Sequence, residues 1–363
     1  MDNTKTPFYA KASLIFIGLL AFVSMLYIAQ RIIVPIIYST IIAIALNPLV
    51  DFFSRKKMNR VLAISISLIL VFLVTVLLAG LLYSQLSIFT DSFPKLIDKL
   101  YSTLNRSIVW VSDNFNVSTK WCNDFIADTK TEILSDSRST IAATLTKMGN
   151  ALVVLILIPV YVFMILFYQP LLLEFVRRFF GNNNQKEVNE VLISTKNIIQ
   201  KYLAALLLEA AIIATLNSVG LLILGIDYAI VLGVIGAILN VIPYIGGIIA
   251  VGLPMLVAFV TKSSLSYPLL VLLVYTIIQF IDNHYVIPKV VASKVRINAL
   301  VSIIVVLAGG ALWGVPGMLL SIPLTALLKV IFDHIEELKA WGFLLGDTIP
   351  PITIFRIKLK KNN

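Results

Sequence analysis

Long apolar runs alternate with short polar breaks along most of the chain, and the runs set the elements. Leu14–Ile28 with its flanks is the first, and it breaks near Arg31 and Pro35. Ile36–Phe53 returns, punctuated by Asn47-Pro48, and Val61–Leu86 is a third, very apolar run. A crossing helix needs about 20 apolar residues at 1.5 Å rise each, so each run predicts one membrane span. No small-x-small cleavage site follows Leu14–Ile28 and further apolar segments begin at once. That run is therefore expected to be a retained helix rather than a signal peptide.

From Ser87 to Lys147 the pattern changes. Acidic positions 91, 98, 113, 124, 128, 132 and 136 balance basic positions 95, 99, 106, 120, 130, 138 and 147. Phe93, Leu96, Ile97, Leu100 and Leu104 recur at helical spacing. This predicts amphipathic helices outside the cytoplasm, lying on the membrane face or forming a solvated hairpin. Gly149–Tyr168 then spans inward with Pro159 as an expected kink. Leu171–Tyr202 is amphipathic and basic, interrupted by Gly181-Asn-Asn-Asn184, and Leu203–Leu224 spans outward to the turn Gly225-Ile-Asp-Tyr228.

Ala229 to Val260 is too short for two full spans, which need about 40 residues. Its centre, Asn240-Val-Ile-Pro-Tyr-Ile-Gly-Gly247, does not suit one continuous helix. Two half-helices meeting at a broken turn fit better. A similar pattern recurs at Leu300–Phe332, where Gly309-Gly310 and Gly314-Val-Pro-Gly317 split two apolar arms ahead of Pro323. Between them Tyr267–Asp282 crosses inward. Counting passes puts the two hairpins on opposite faces, with both termini in the cytoplasm. Paired interrupted segments point to a midplane binding site in transporters, because broken backbone at that depth survives only against protein or water. The alternative is that the glycines only let helices pack closely.

The composition agrees with a polytopic all-α membrane protein of about seven or eight membrane segments. Of 363 residues, 59% are hydrophobic and 13% charged, whereas a soluble domain is about a quarter charged. The net charge of +10 does not imply nucleic-acid binding. Arg55-Lys56-Lys57 with Arg60, Arg177-Arg178, and Lys289, Lys294 and Arg296 sit in short loops, as cytoplasmic loops do under the positive-inside rule. Cys122 is the single cysteine and His284 and His334 are the two histidines, so neither an intrachain disulfide nor a usual zinc site is expected. No phosphate-binding Gly-x-x-x-x-Gly-Lys-Ser/Thr motif and no nucleophile–histidine arrangement is present. The chain is expected to be neither an enzyme nor an ATP-driven pump, and no cofactor is implied.

Two carboxylates lie inside apolar segments, where an ionised side chain costs at least about 2.5–3.5 kcal/mol. Asp282 closes the run Leu269–Asn283, beside Asn283 and three residues from Gln279, and these amide and carboxylate groups could hold a polyhydroxylated solute or a cation. Asp282 could instead end its helix at the cytoplasmic surface, paired with Lys289 or Lys294. Glu209 lies inside its span and could carry a proton, or could pair with Lys201 or Lys196 near the headgroups. Asn217 and Asn240 are neutral polar groups at membrane depth that either line a path or bridge helices. The candidate pathway is therefore Glu209, Asn217, Asn240, Pro243, Tyr244, Gly246, Gly247, Gln279, Asp282 and Asn283. Pro288, Gly309, Gly310, Gly314, Pro316, Gly317 and Pro323 are candidate hinge or packing positions.

The ordered landmarks of the C-terminal half resemble the autoinducer-2 exporter family of bacterial membrane permeases. They are Gly225-Ile-Asp-Tyr228, Asn240-Val-Ile-Pro-Tyr-Ile-Gly246, Gln279-Phe-Ile-Asp-Asn283, Ile287-Pro288-Lys289, Gly309-Gly310 and Gly314-Val-Pro-Gly-Met-Leu-Leu-Ser-Ile-Pro323. The resemblance implies an inner-membrane protein that works as a homo-oligomer, a pentamer, and exports the furanone-type signal autoinducer-2. Some relatives are instead described as sodium or lithium/proton antiporters. The family's Pro-Tyr-hydrophobic-Gly-Pro is Pro243-Tyr-Ile-Gly-Gly247 here, so one constraining proline becomes a permissive glycine. Many relatives carry Glu where this chain has Asp282. The expected organisation is N-terminal spans over 1–86, an extracytoplasmic segment over 87–147, a transport core over 148–335 and a basic cytoplasmic tail over 336–363, with Arg356, Lys358, Lys360 and Lys361.

Overall fold

The computed structural model describes residues 7–78, 80, 102, 156–180, 185–242, 246–262, 264, 266–292 and 297–348. The amphipathic segment predicted over 87–147 therefore lies outside the described residues apart from Ser102, as do Pro243, Tyr244, Lys294, Arg296 and residues 349–363 of the basic tail. Nearly all of the described residues are helical, with one isolated β-bridge between Ile297 and Gly346. The protein is an all-α polytopic membrane protein. By length and apolarity six described helices can cross a bilayer, or seven if one bent pair counts as a span.

Three N-terminal helices form a sub-bundle with a fourth. Helices α1 (Phe8–Ile28) and α2 (Gln30–Arg55) meet at a tight turn on Ala29, whose N–H bonds back to Met25. α1 buries none of its residues, as a helix facing lipid should. α3 (Arg60–Leu78) and α4 (Ile156–Phe167) pack with α2 around Ala43, Val50, Ala63, Ile64, Val162 and Leu166. The Arg60 guanidinium donates to the Leu166 carbonyl at 2.8 and 3.3 Å and to Gln169 Oε1 at 2.9 Å. It thereby fixes the point where the chain bends by 64° from α4 into α5 (Gln169–Phe179). Within the spans, Thr40, Ser67, Thr75, Thr215 and Thr276 each return their hydroxyl to the carbonyl four residues earlier, which satisfies them without a partner helix.

α6 (Gln185–Ile223) is the central strut. Its 39 residues would extend about 58 Å, roughly twice the hydrocarbon thickness. The sequence places a boundary at Tyr202, where polarity falls. The helix runs through that position unbroken, because a change of solvent does not require a change of backbone. Gln200 donates to Ile44 O at 2.7 Å, and Lys196 stands 4.0 Å from Asp51, so the N-terminal half of α6 lies along the C-terminal half of α2.

Both predicted broken hairpins are present. α7 (Ala229–Asn240) and α8 (Gly246–Thr261) are half-helices of about 18 and 24 Å, too short to cross singly. The second hairpin is α10 (Ala299–His334), two helical arms that meet at a reversal on Gly314, whose φ of 66° and ψ of −147° lie outside the helical region. Eight residues along a straight helix span about 12 Å. Here a Cβ on Gly309 would stand 2.5 Å from Gly317 O, so the two arms lie back to back. The reversed tip is held by Trp313 Nε1 on Leu26 O at 3.1 Å and by Tyr38 on Pro316 O at 3.0 Å. Ser321 donates to Gly317 O and Thr325 to Ser321 O around the buried Pro323.

α9 (Ser266–Ile281) separates the hairpins, and α11 (Lys339–Leu345) folds back onto the start of α10. Asn298 donates to the carbonyls of Leu344 and Gly346 at 2.7 and 3.1 Å while capping α10 through Val301 N. Residues 336–346, grouped with the tail on sequence, are thus packed against the core.

Candidate transport site

The site is assembled where α7 ends, α8 begins and α9 changes its winding. Asp282 opens an 11-residue π-helical stretch, Asp282–Ala292, which contains Pro288. π-winding is rare, is seen mostly as single-turn bulges, and is frequent at functional sites. Asp282 is fully buried here, while Asn283 and His284 beside it are exposed.

Asn240, the last residue of α7, donates from Nδ2 to Asp282 Oδ2 at 2.9 Å. The other carboxylate oxygen, Oδ1, has no hydrogen-bond partner among the described residues. Asp282 is thus buried against Asn240. Gly247 completes the group from α8. A Cβ there would stand 2.8 Å from Gln279 Oε1 and 3.4 Å from Asn240 Oδ1, so only hydrogen leaves the Asn and Gln amides room to face each other. Gly246 is needed for a different reason, since a Cβ would run into the Leu239 carbonyl where the chain crosses itself at the break.

These groups open onto a cavity of about 970 Å³. Glu209, Asn240, Gly247, Gln279, Asp282 and Asn283 all line it, so six of the ten sequence candidates converge on one space. Glu209 is buried and reaches it from α6, and Lys196 is turned toward Asp51 instead. Asn217 lies two turns beyond Glu209, outside the cavity lining, against Gly236. Pro243 and Tyr244 lie outside the described residues, and Gly246 does not line the space. His284 also lines it, with Nδ1 3.0 Å from Phe280 O and its ring stacked on Phe280 at 4.1 Å.

Tyr202, Tyr275, Thr276 and Ser302 line the cavity as well, and sequence reasoning missed them. A signal existed for two. Tyr275 is four residues before Gln279 and Tyr202 seven before Glu209, so each shares a helix face with a polar residue already singled out. Among the described residues no group of three or more His, Cys, Asp or Glu side chains could hold a metal ion.

The hinge candidates divide by position. Gly309, Gly310, Gly314, Pro316, Gly317 and Pro323 all belong to the reversal and packing of the second hairpin, and none of them lines the cavity, although Ile322 beside Pro323 does. Pro288 alone lies in the π-stretch that carries Asp282.

The chain is similar to known transport proteins over most of its length. The family model for AI-2E family transporters matches residues 16–337. The AI-2 transport protein TqsA of Escherichia coli (strain K12) is 27% identical over 325 residues, covering 88% of this chain and 90% of that protein. YueF of Bacillus subtilis (strain 168) is 23% identical over 336 residues, covering 90% and 89%. YhhT of Escherichia coli (strain K12) is 24% identical over 329 residues, covering 90% and 91%. With a broken hairpin over a buried polar cluster and a match across nearly its whole length, the chain belongs to the AI-2E family of transporters.

Proposed function

We propose that this transporter is a secondary carrier or facilitative permease that exports a small, uncharged, hydroxyl-rich solute of the autoinducer-2 type. The observation that carries the proposal is the Asn240–Asp282 pair at the hairpin break, with Gly247 and Gln279 beside it on one cavity. Amides and one carboxylate oxygen offer both donors and acceptors, which suits alternating hydroxyl and carbonyl groups. The name of TqsA supports autoinducer-2 as the solute to try first.

The orientation follows from charge. Arg55, Lys56, Lys57 and Arg60 stand where α2 passes into α3, at the end of α2 opposite the α1–α2 turn, and Arg60 ties the start of α5, with its Arg177 and Arg178, to that face. By the positive-inside rule that face is the cytoplasm, with both termini on it, in the bacterial inner membrane. From the family resemblance we infer a homo-oligomer, a pentamer.

A second reading has one observation in its favour: Glu209 and Asp282 line the same cavity, as a sodium or lithium/proton antiporter would need. A scaffold without transport is the remaining class. Efflux of labelled autoinducer-2 from proteoliposomes separates the three. Export that stops in Gly247→Val supports the permease, whereas no export by the wild type removes it.

A further inference from the structure

Three buried polar atoms have no hydrogen-bond partner among the described residues: Asp282 Oδ1, Asn217 Oδ1 and the Tyr275 hydroxyl. The first belongs to the cluster at the hairpin break. The other two form a separate pair. Asn217 on α6 is 2% exposed and Tyr275 on α9 is 7% exposed. Both press on the same glycine of α7: a Cβ on Gly236 would lie 3.1 Å from Asn217 Nδ2 and 3.3 Å from the Tyr275 hydroxyl. α8 closes the fourth side, with the Ala250 methyl 3.7 Å from the same point.

A buried hydroxyl or amide without a partner costs about 1–3 kcal/mol, so such groups call for an explanation. A small-residue contact explains Gly236 but not the polarity around it, since Phe and Leu would fill the same space without the cost. Tyr275 also stands on the helix face that carries Gln279 and Asp282, at spacings of four and seven, and it lines the main cavity. Asn217 stands on the face of Glu209 at a spacing of eight. Two polar stripes thus run on along α6 and α9 from the buried cluster, and α7 lies across them at Gly236.

We propose that Asn217 and Tyr275 form a second solute subsite, sealed in this structure by the α7–α8 hairpin, which swings off them to let solute through. This rests on the transport function proposed above and deepens it. The subsite holds a phenol and an amide and no charged side chain among its described contacts, so it accepts a neutral hydroxyl or carbonyl group and gives a bare cation little. Gly236 is the seal, because any larger residue would either hold the hairpin off the subsite or fill it.

The test is Tyr275→Phe, which removes one oxygen and keeps the ring. If the hydroxyl is only structural, flux stays at the wild-type level. If it serves the solute, labelled autoinducer-2 flux at sub-saturating concentration falls about tenfold, while the melting temperature stays level or rises because an unpartnered buried group is gone. Unchanged flux overturns the proposal, and so does a fall in flux that tracks a loss of stability. If the wild type moves no autoinducer-2, the substrate assignment fails and a ligand-free readout decides the subsite. Asn217→Cys in a Cys122→Ser background is exposed to a membrane-impermeant thiol reagent in sealed vesicles. Modification within minutes, despite the burial seen here, shows that the hairpin opens. A thiol that stays unmodified from both faces overturns it.

Discussion

Asn240 and Asp282 are 42 positions apart in sequence and 2.9 Å apart in space, and their hydrogen bond ties the break of the first hairpin to the residue where α9 becomes π-helical. Each irregularity leaves backbone groups and a polar side chain at membrane depth. Paired, they satisfy each other in part, and the unsatisfied remainder faces a cavity. Non-helical backbone is tolerated in a membrane under that condition.

Asp282→Asn keeps the shape of the side chain and a hydrogen-bonding partner for Asn240. Neutral-solute flux should fall by less than about tenfold, equivalent to 1.4 kcal/mol. Asp282→Leu strands the Asn240 amide in a buried site, at a cost of about 1–3 kcal/mol, and should lose both flux and thermal stability. Flux and melting curves on the two variants check this together.

The adjacent glycines should behave differently. In Gly246→Ala the new methyl meets the Leu239 carbonyl and backbone, which cannot step aside, so folding should suffer by about 1–3 kcal/mol. In Gly247→Ala it meets the end of the Gln279 side chain at 2.8 Å, which can rotate away. That variant should fold normally and transport poorly. Expression and size-exclusion profiles against flux would show the split.

The reversal of the second hairpin rests on backbone conformation at one residue and on close contact at another. Gly314→Ala meets no atom within 4 Å but forces a side chain into φ 66°, ψ −147°, for about 1–3 kcal/mol. Gly309→Ala is strained by the facing Gly317 carbonyl instead. Both should lower the melting temperature, and the double variant should cost less than the sum, since one distortion of the hairpin relieves both.

Much of this was legible in the chain. Asn240, Pro243 and the Gly246-Gly247 pair announce the first break because each opposes a helix in its own way, and the two glycine clusters of the second hairpin announce a reversal. The π-stretch was only partly legible, since Pro288 announces an irregularity within Asp282–Ala292 but not that the winding widens from Asp282 onward. Tyr275 passes for a core aromatic in an apolar helix until its unpartnered hydroxyl is seen. The partner of Lys196 was also beyond the sequence: Glu209 was a nearer candidate along the helix, but Asp51 on α2 stands closer in space.

That ion pair is long, at 4.0 Å, and about half exposed on both sides. Lys196→Ala should therefore change stability by less than about 1 kcal/mol and leave flux alone. A clear loss of transport would mean that Lys196 serves Glu209 in another conformation.

Under the proposed function, the buried cluster handles an uncharged solute. The most direct test of this claim is flux through the purified protein in proteoliposomes loaded with labelled autoinducer-2 and a pH dye, under an imposed sodium gradient. The expected result is efflux of the label without a proton signal, largely kept in Asp282→Asn and abolished in Gly247→Val. Proton movement that follows sodium and vanishes in Asp282→Asn, with the label retained inside, would contradict the claim and make this chain a cation/proton antiporter.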